Sequence, residues 1–227
     1  MDIALERIKN WESGILDLSK LDLTELPELP ENLTGLFCYK NKLTSLPNSL
    51  PKNLTVIDCS NNKLELLPEN LPNNVWILYC NNNNLKNLPD KLPNKLTNLY
   101  CSDNKLKVLP DKLPNLTDLH CRKNNLYFLP DTLPSSLKIF DCSYNYLVSL
   151  PDRLPNLKEL YCNQNQLKSL PITFPTNIEI LQLYRNNLLE RNENEAVSSY
   201  VKRLNNIEDT YIEQLRKNIE LYGGGRL

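Results

Sequence analysis

The chain of 227 residues is long enough for one domain or one repeat array, and its 41% hydrophobic content can fill a continuous core. Its 26 basic and 27 acidic side chains nearly cancel, which predicts no electrostatic attraction to nucleic acid or to an anionic membrane. No apolar stretch approaches the ~20 residues that a membrane-spanning helix needs, and the charged N-terminus lacks the features of a secretory signal, so we expect a cytoplasmic protein.

A short amphipathic helix is predicted at the start of the chain. Leu5, Ile8 and Trp11 recur at helical spacing, and Gly14 follows them as a stop signal. We assign residues 1–14 to a cap that covers the first strand of the region that follows, because an uncovered sheet edge would invite aggregation.

Seven cysteines mark a repeat, since successive cysteines are 20 or 21 residues apart. An asparagine follows each cysteine by three residues and a leucine by five, and all 16 prolines fall in the LPxxLP-type element that comes next. With an atypical first and last unit, the pattern LxxLxCxxNxLxxLPxxLPxx predicts nine repeats over residues 15–190. The cysteines are Cys38, Cys59, Cys80, Cys101, Cys121, Cys142 and Cys162.

Each repeat is predicted to contribute one short strand, LxC, whose leucine and cysteine face the core while the residue between them faces outward. Neighbouring strands should stack in parallel into one sheet on the concave side, because a single repeat cannot bury its apolar face alone. The LPxxLP element excludes a helix, since each proline fixes φ and removes a hydrogen-bond donor. We therefore expect extended, polyproline-like segments on the convex side and an open arc.

The asparagine of each repeat is predicted to lie inside, where an unpaired polar group costs about 1–3 kcal/mol. We expect its amide to bond backbone groups of the turn after the strand, in its own repeat and the next, and so to be structural. The predicted ladder consists of Asn41, Asn62, Asn83, Asn104, Asn124, Asn145, Asn165 and Asn186.

The cysteines are predicted to be buried free thiols, because they share one inward phase. A zinc site needs converging thiolates, and a column spread along seven strands does not converge. Cys121 and the adjacent His120 point to opposite faces of a strand, which argues against a Cys–His nucleophilic pair. We predict no catalytic residue, metal or cofactor.

The outward-facing strand residues form the predicted binding surface. One column takes the residue between leucine and cysteine, and a second takes the residue two further along. Aromatic side chains are frequent in both, and aligned aromatics with an arginine and scattered carboxylates are typical of protein-binding surfaces. The predicted partner-binding residues are Phe37, Tyr39, Asp58, Tyr79, Tyr100, His120, Arg122, Asp141, Tyr161 and Tyr184.

The proline rhythm stops after Leu189. Apolar residues then recur at helical spacing, which predicts one or two capping helices over residues 191–222. The glycine-rich residues 223–227 are predicted to form a flexible tail.

The short unit ending in LPxxLP resembles the leucine-rich repeats of effectors injected by enteric bacterial pathogens, and the cysteine and frequent asparagine also resemble giant-virus repeat proteins. The resemblance covers about four-fifths of the chain. It implies an α/β solenoid with a parallel sheet on the concave face, an extended convex face and helical caps. It says little about the partner, because one fold serves many functions.

The favoured function is a non-enzymatic, monomeric interaction module that binds a protein of unknown identity through its concave face. Some similar effectors carry a catalytic cysteine domain after the repeats, but residues 190–227 contain no cysteine or histidine, so we expect no ligase activity. An adaptor that recruits a host ubiquitin ligase or another enzyme, and a structural virion component, are the alternatives. As a viral or effector protein, the chain would act in the host-cell cytoplasm.

Overall fold

The computed structural model describes residues 1–171, 173–175, 177–188, 195–196 and 199–204. Helix α1 spans Asp2–Lys9, and each strand that follows is three residues long. The strands are β1 Ile15–Asp17, β2 Gly35–Phe37, β3 Val56–Asp58, β4 Ile77–Tyr79, β5 Asn98–Tyr100, β6 Asp118–His120, β7 Ile139–Asp141, β8 Glu159–Tyr161 and β9 Ile180–Gln182.

The nine strands form one parallel sheet whose spatial order is the chain order. Equivalent residues of successive repeats are direct partners, as in the series Leu78, Leu99 and Leu119. Parallel neighbours joined by a full turn of chain define a solenoid, so the predicted fold class is confirmed.

The strands begin one residue earlier than predicted, so the prediction of an LxC strand was wrong in its bounds. Each strand carries its inward apolar residue at the centre, which is leucine except at Ile57 and Phe140, and in the seven cysteine-bearing repeats the cysteine is the first residue after the strand. The ladder of backbone hydrogen bonds still continues through the cysteine, because the Cys38 amide donates to the Asp58 carbonyl at 2.8 Å. The cysteine therefore keeps the predicted inward direction while lying at the edge of the turn.

The core is a column of leucines and cysteines that runs the length of the sheet. In the second repeat Leu36, Cys38, Leu43 and Leu54 are completely buried, and the same positions are buried in the central repeats. Phe140 is the largest fully buried side chain of this column. Because every repeat shares its core with two neighbours, stability depends on stacking rather than on any one unit.

A residue in the left-handed backbone conformation precedes each ladder asparagine, and in the first repeat Lys20 adopts it before Leu21. The φ angle is 53° at Asn82, 54° at Asp103 and 56° at Tyr144, although none of these residues is glycine. Side chains with a Cβ resist this conformation by roughly 1–2 kcal/mol, so the surrounding hydrogen bonds must enforce it. The chain uses this residue to turn sharply out of the strand.

The segments between consecutive strands contain neither helix nor strand within the described residues, as expected from the prolines. A turn follows the second proline of most repeats, with the Leu96 amide donating to the Pro93 carbonyl at 3.0 Å. This turn returns the chain to the next strand and buries Leu96 completely.

Both ends of the described array are helical. In α1 the residue that enters the core is Ala4, whereas Leu5 is exposed, so the predicted apolar face was wrong at that position. The helix also ends at Lys9, before the predicted Trp11, which packs against the core from the following loop.

Residues 199–204 are helical at the other end, with Tyr200, Val201 and Leu204 buried in the common core. The rest of the predicted C-terminal cap and the predicted tail lie outside the described residues. The described helices include none long and apolar enough to span a bilayer.

Candidate binding surface on the concave face

Three columns of side chains face outward from the sheet. The central column carries the last residue of each strand, and the register places Tyr79 opposite Tyr100 and His120 opposite Asp141. A second column lies two residues further on, and a third carries the first residue of each strand. Of the predicted site residues, Phe37, Asp58, Tyr79, Tyr100, His120, Asp141 and Tyr161 lie in the central column, and Tyr39, Arg122 and Tyr184 lie in the second.

Three rings of the central column stack on one another. The centroids of Tyr79 and Tyr100 are 4.6 Å apart with 14° between the ring planes, and those of Tyr100 and His120 are 4.8 Å apart with 21°. These separations match the spacing of parallel strands, so the sheet itself sets the stack. Burial, followed by the neighbouring Tyr100 and by Asp58, raises the pKa of the Tyr79 hydroxyl. The stack is a half-buried aromatic platform whose outer surface stays open to solvent.

The other predicted aromatics stand apart from this stack. Phe37 is separated from Tyr79 by Asp58, and Tyr161 is separated from His120 by Asp141. The Tyr161 hydroxyl donates to Glu159 at 2.9 Å, and this bond raises the pKa of the Tyr161 hydroxyl. The aromatic surface is therefore a central three-ring platform with isolated rings on either side.

Tyr39 and Tyr184 lie near the two ends of the second column. The Lys20 ammonium lies 5.8 Å from the centroid of the Tyr39 ring, and Tyr184 is exposed. The Arg122 guanidinium lies over the Tyr144 ring at 4.5 Å, which holds it at the edge of the platform.

Carboxylates surround the platform. Asp58 accepts the Ser60 amide at 3.0 Å, and Asp141 accepts both the amide and the hydroxyl of Ser143 at 3.0 and 2.6 Å. Aspartates in this position cap the end of their own strand, which fixes the direction of the negative charge.

Asp118, which lies in the first-residue column, is held by two neighbouring side chains instead of by a residue further along its own strand. It accepts the Asn98 amide at 2.7 Å and the Thr117 hydroxyl at 2.6 Å. Thr97 in turn donates its hydroxyl to the side-chain oxygen of Asn98 at 2.7 Å, so side-chain hydrogen bonds link two neighbouring repeats.

The three columns together are acidic, although the whole chain is nearly neutral. They contain five carboxylates and one guanidinium, that of Arg122. Asp17 pairs with Arg7 at 3.8 Å, and the other four carboxylates form no ion pair with any lysine or arginine that the structure describes. The four are Asp58, Asp118, Asp141 and Glu159.

The first-residue column was missed in the sequence analysis. It places Ile77 and Ile139 beside the platform, and it brings Ile15 and Val56 together over Gly35. A Cβ on Gly35 would lie 2.7 Å from Ile15 and 2.9 Å from Val56, so glycine lets these two side chains close over it. The period-two alternation of a strand was the available signal, because residues on both sides of an inward leucine face the same way.

The ladder asparagines hold the turn beneath this surface. The Asn104 oxygen accepts the Leu85 amide at 3.0 Å, and its nitrogen donates to the carbonyls of Cys80 and Cys101 at 3.0 and 3.1 Å. The ladder therefore reaches back to the preceding repeat, not to the next one as expected. The same pattern recurs through Asn186, which receives the Leu167 amide at 3.0 Å.

The seven cysteines are buried free thiols. Burial raises the pKa of Cys101 to about 12 and holds that of Cys80 well above its usual value. Such thiols are poor nucleophiles, because the thiolate is the reactive form. Within the described part of the chain, no three His, Cys, Asp or Glu side chains are placed to hold a metal ion.

Comparisons with known proteins agree with this architecture. A sequence profile described as Leucine Rich Repeat matches residues 53–74. The structure is similar to YopM from Yersinia enterocolitica WA-314, with 37% identity and a TM-score of 0.79 over 84% of this chain. It is similar to a Shigella effector leucine-rich-repeat domain, with 30% identity and a TM-score of 0.58, covering 83% of this chain and 78% of that domain.

A more distant similarity is to a chain of the Toll–Spatzle complex of Drosophila, with 25% identity and a TM-score of 0.60 over 78% of this chain and 27% of that one. No curated protein sequence matches. The chain spans 43% of the length of the Yersinia protein. The solenoid is a leucine-rich-repeat fold, and the chain belongs to the leucine-rich-repeat family. Its similarity to the Yersinia and Shigella proteins makes it effector-like, as the repeat motif indicated.

Proposed function

We propose that this chain binds a partner protein through its concave face, with the Tyr79, Tyr100 and His120 platform as the central anchor. Leucine-rich-repeat proteins are generally non-enzymatic interaction modules, and the proposal gives the chain no catalytic role. The observation that carries it is the three-ring stack, which is open to solvent and has carboxylates beside it. Aromatic anchors at the centre of a surface commonly dominate protein-binding energy.

The charge of the face specifies the chemistry of the partner. The four carboxylates that form no ion pair within the described residues attract lysine and arginine, and a guanidinium can also stack on an aromatic ring. We therefore propose that the partner presents arginine or lysine side chains to Tyr79 and Tyr100. Binding should weaken as salt is added, because ions screen exposed charges.

The biological setting belongs to the same proposal. An effector-like chain with this surface would act as a monomer in the host-cell cytoplasm and engage a host protein there. No cofactor, nucleic acid or membrane enters this mechanism, since the platform and its carboxylates supply the recognition.

Affinity capture from a host-cell lysate, followed by mass spectrometry, tests the proposal. The bait is the full chain, the test variant carries Tyr79→Ala, Tyr100→Ala and Tyr161→Ala, and the control carries Trp76→Ala. Trp76 is an exposed aromatic residue outside the three columns, so its loss removes an aromatic ring from another part of the surface.

We expect a partner that the wild type and the Trp76 variant retain and the triple variant loses by more than about fivefold in affinity. Raising the salt concentration should release it. Full retention by the triple variant would move the binding site away from the concave face.

A further inference from the structure

A second exposed surface lies on the flank of the solenoid, where each repeat turns out of its strand. We call the residues Val108, Tyr127, Phe128, Tyr146 and Val148 the flank patch; their exposed fractions run from 37% to 65%. They come from three consecutive repeats and none belongs to the concave columns.

Stacking of the repeats brings the flank patch together. The Tyr146 amide donates to the Leu126 carbonyl at 2.8 Å, which places Tyr146 beside Tyr127. Their ring centroids are 5.1 Å apart with 18° between the planes, so the two rings stack in the open. Nineteen residues separate them in sequence, and only the solenoid makes them neighbours.

The fold does not require apolar residues at these positions, as the other repeats show. Where the sixth repeat has Tyr127 and Phe128, the second has Thr44 and Ser45 on an equivalent backbone. Where the seventh has Tyr146, the other cysteine-bearing repeats carry lysine, asparagine or glutamine. The cluster is therefore an addition to the repeat, and contiguous exposed apolar patches of this kind mark interaction sites.

Lysines border the flank patch on both sides. The row that contains Tyr127 and Val148 continues to Lys107 in the preceding repeat and to Lys168 in the following one. Neither lysine forms an ion pair with any residue that the structure describes. The nearby Lys123 pairs with Asp103 at 3.2 Å. The two ends of this row are positive, opposite in sign to the concave face, whereas Asp131 and Asp152 line the groove beside Phe128.

We propose that the flank patch is a second protein-docking surface, which binds a segment carrying apolar side chains flanked by aspartate or glutamate. Lys107 and Lys168 are three repeats apart, or about 15 Å at the spacing of parallel strands. An extended segment covers that distance in about five residues. The apolar anchor would lie on Tyr127 and Tyr146, with an acidic side chain at each lysine.

Because its charge is opposite, the flank patch selects a different partner from the concave face. A chain with both surfaces can hold a basic protein and an acidic segment at once, which is what an adaptor does. The flank patch shares no residue with the concave columns, so binding at one surface does not depend on binding at the other.

A phage-displayed library of random 12-residue peptides, panned against the full chain, is the probe. The flank variant carries Tyr127→Thr, Phe128→Ser and Tyr146→Asn, which are residues that sister repeats bear at the same positions, so it should fold as the wild type does. An unchanged urea midpoint verifies this. The control variant carries Tyr79→Ala and Tyr100→Ala on the concave face.

We expect enrichment of peptides with leucine, phenylalanine or tryptophan between acidic residues. A fluorescein-labelled copy of the most enriched peptide should bind about tenfold more weakly to the flank variant and to Lys107→Glu, and unchanged to the concave control. Failure of the concave proposal would leave this result intact.

Four results of the peptide experiment would overturn the inference. They are no enrichment, enrichment of basic peptides, equal binding of the acidic peptide to the flank variant, and binding lost only in the concave control. Tighter flank-dependent binding of a 20-nucleotide oligo-dT would assign the patch to nucleic acid instead. A dimer in light scattering that the flank variant dissociates would assign it to a second copy of the chain.

Discussion

Replacing Asn104 with leucine removes one step of the asparagine ladder while preserving the branched shape and the number of side-chain heavy atoms. The substitution takes away the acceptor of the Leu85 amide and one donor to each of the Cys80, Cys101 and Ser102 carbonyls. The consequences for the amide and for the carbonyls differ, since the Ser102 carbonyl keeps the Asn82 amide as a donor. Cys80 still accepts from Asn83, and Cys101 still accepts from Asn124.

The Leu85 amide is the group left without its side-chain acceptor. A buried unsatisfied donor costs about 1–3 kcal/mol, and each lost bond to a carbonyl that keeps another partner costs roughly 0.5 kcal/mol. Burial of the leucine methyl groups offsets about 1 kcal/mol of this. The net destabilisation should be about 1–3 kcal/mol.

The first repeat explains why one leucine is tolerated at the ladder position. Leu21 occupies that position, but the ladder reaches backward and no repeat precedes the first one. The Leu21 amide itself is satisfied, because it donates to the Asn41 oxygen at 2.9 Å.

Urea unfolding followed by circular dichroism measures the effect as a lower midpoint at an unchanged slope. The matched control is Asn73→Leu, which changes an exposed asparagine on the convex side and should shift stability by less than about 0.5 kcal/mol. Equal midpoints for Asn104→Leu and the control would refute the structural role of the ladder.

Three further predictions concern the backbone, the thiols and the cap. Asn82→Val should cost about 1–2 kcal/mol, because a β-branched residue resists φ near 53°, whereas Asn82→Gly should cost little; equal urea midpoints for the two would contradict this. Native protein should react negligibly with a thiol reagent and unfolded protein should show seven thiols. Burial raises the pKa of Cys101 to about 12, so as pH rises the thiol loses its proton in the unfolded chain before it does so in the folded one. The thiol therefore leaves stability unchanged below about pH 8.5 and lowers it as pH rises toward 12. A urea midpoint that stays constant across that range would contradict the burial of the thiol. Removing residues 193–227 should expose β9 and cause aggregation, since Leu204 packs in the core, and a soluble monomer by light scattering would count against a capping role.

Most of the fold could be predicted from the period of the repeat. Cys101 and Asn104 recur at one phase, and a residue type confined to one phase of a stacked array must have one environment. For the same reason, the shared position of Tyr79 and Tyr100 within their repeats predicts that the two side chains are neighbours. It could not give the strand bounds, because hydrogen bonding and not hydrophobic pattern sets where a three-residue strand starts.

Two features of the structure, the left-handed backbone position and the flank patch, could not be predicted because no single residue type marks them in the sequence. The left-handed position is normally recognised by glycine, but here it holds residues such as Asn82 and Tyr144. The flank patch was missed because Tyr127 and Tyr146 occupy different positions within their repeats. The charge contrast between the concave face and the flank disappears in a net charge of −1.

Photo-crosslinking from the concave platform tests the central claim most directly. A benzophenone amino acid placed at position 100 should crosslink the captured partner, and the same amino acid at position 73, on the convex side, should not. Mass spectrometry of the crosslinked peptide should find lysine or arginine close to the attachment point. Equal crosslinking from both positions, or crosslinking from position 73 alone, would contradict recognition through the concave face.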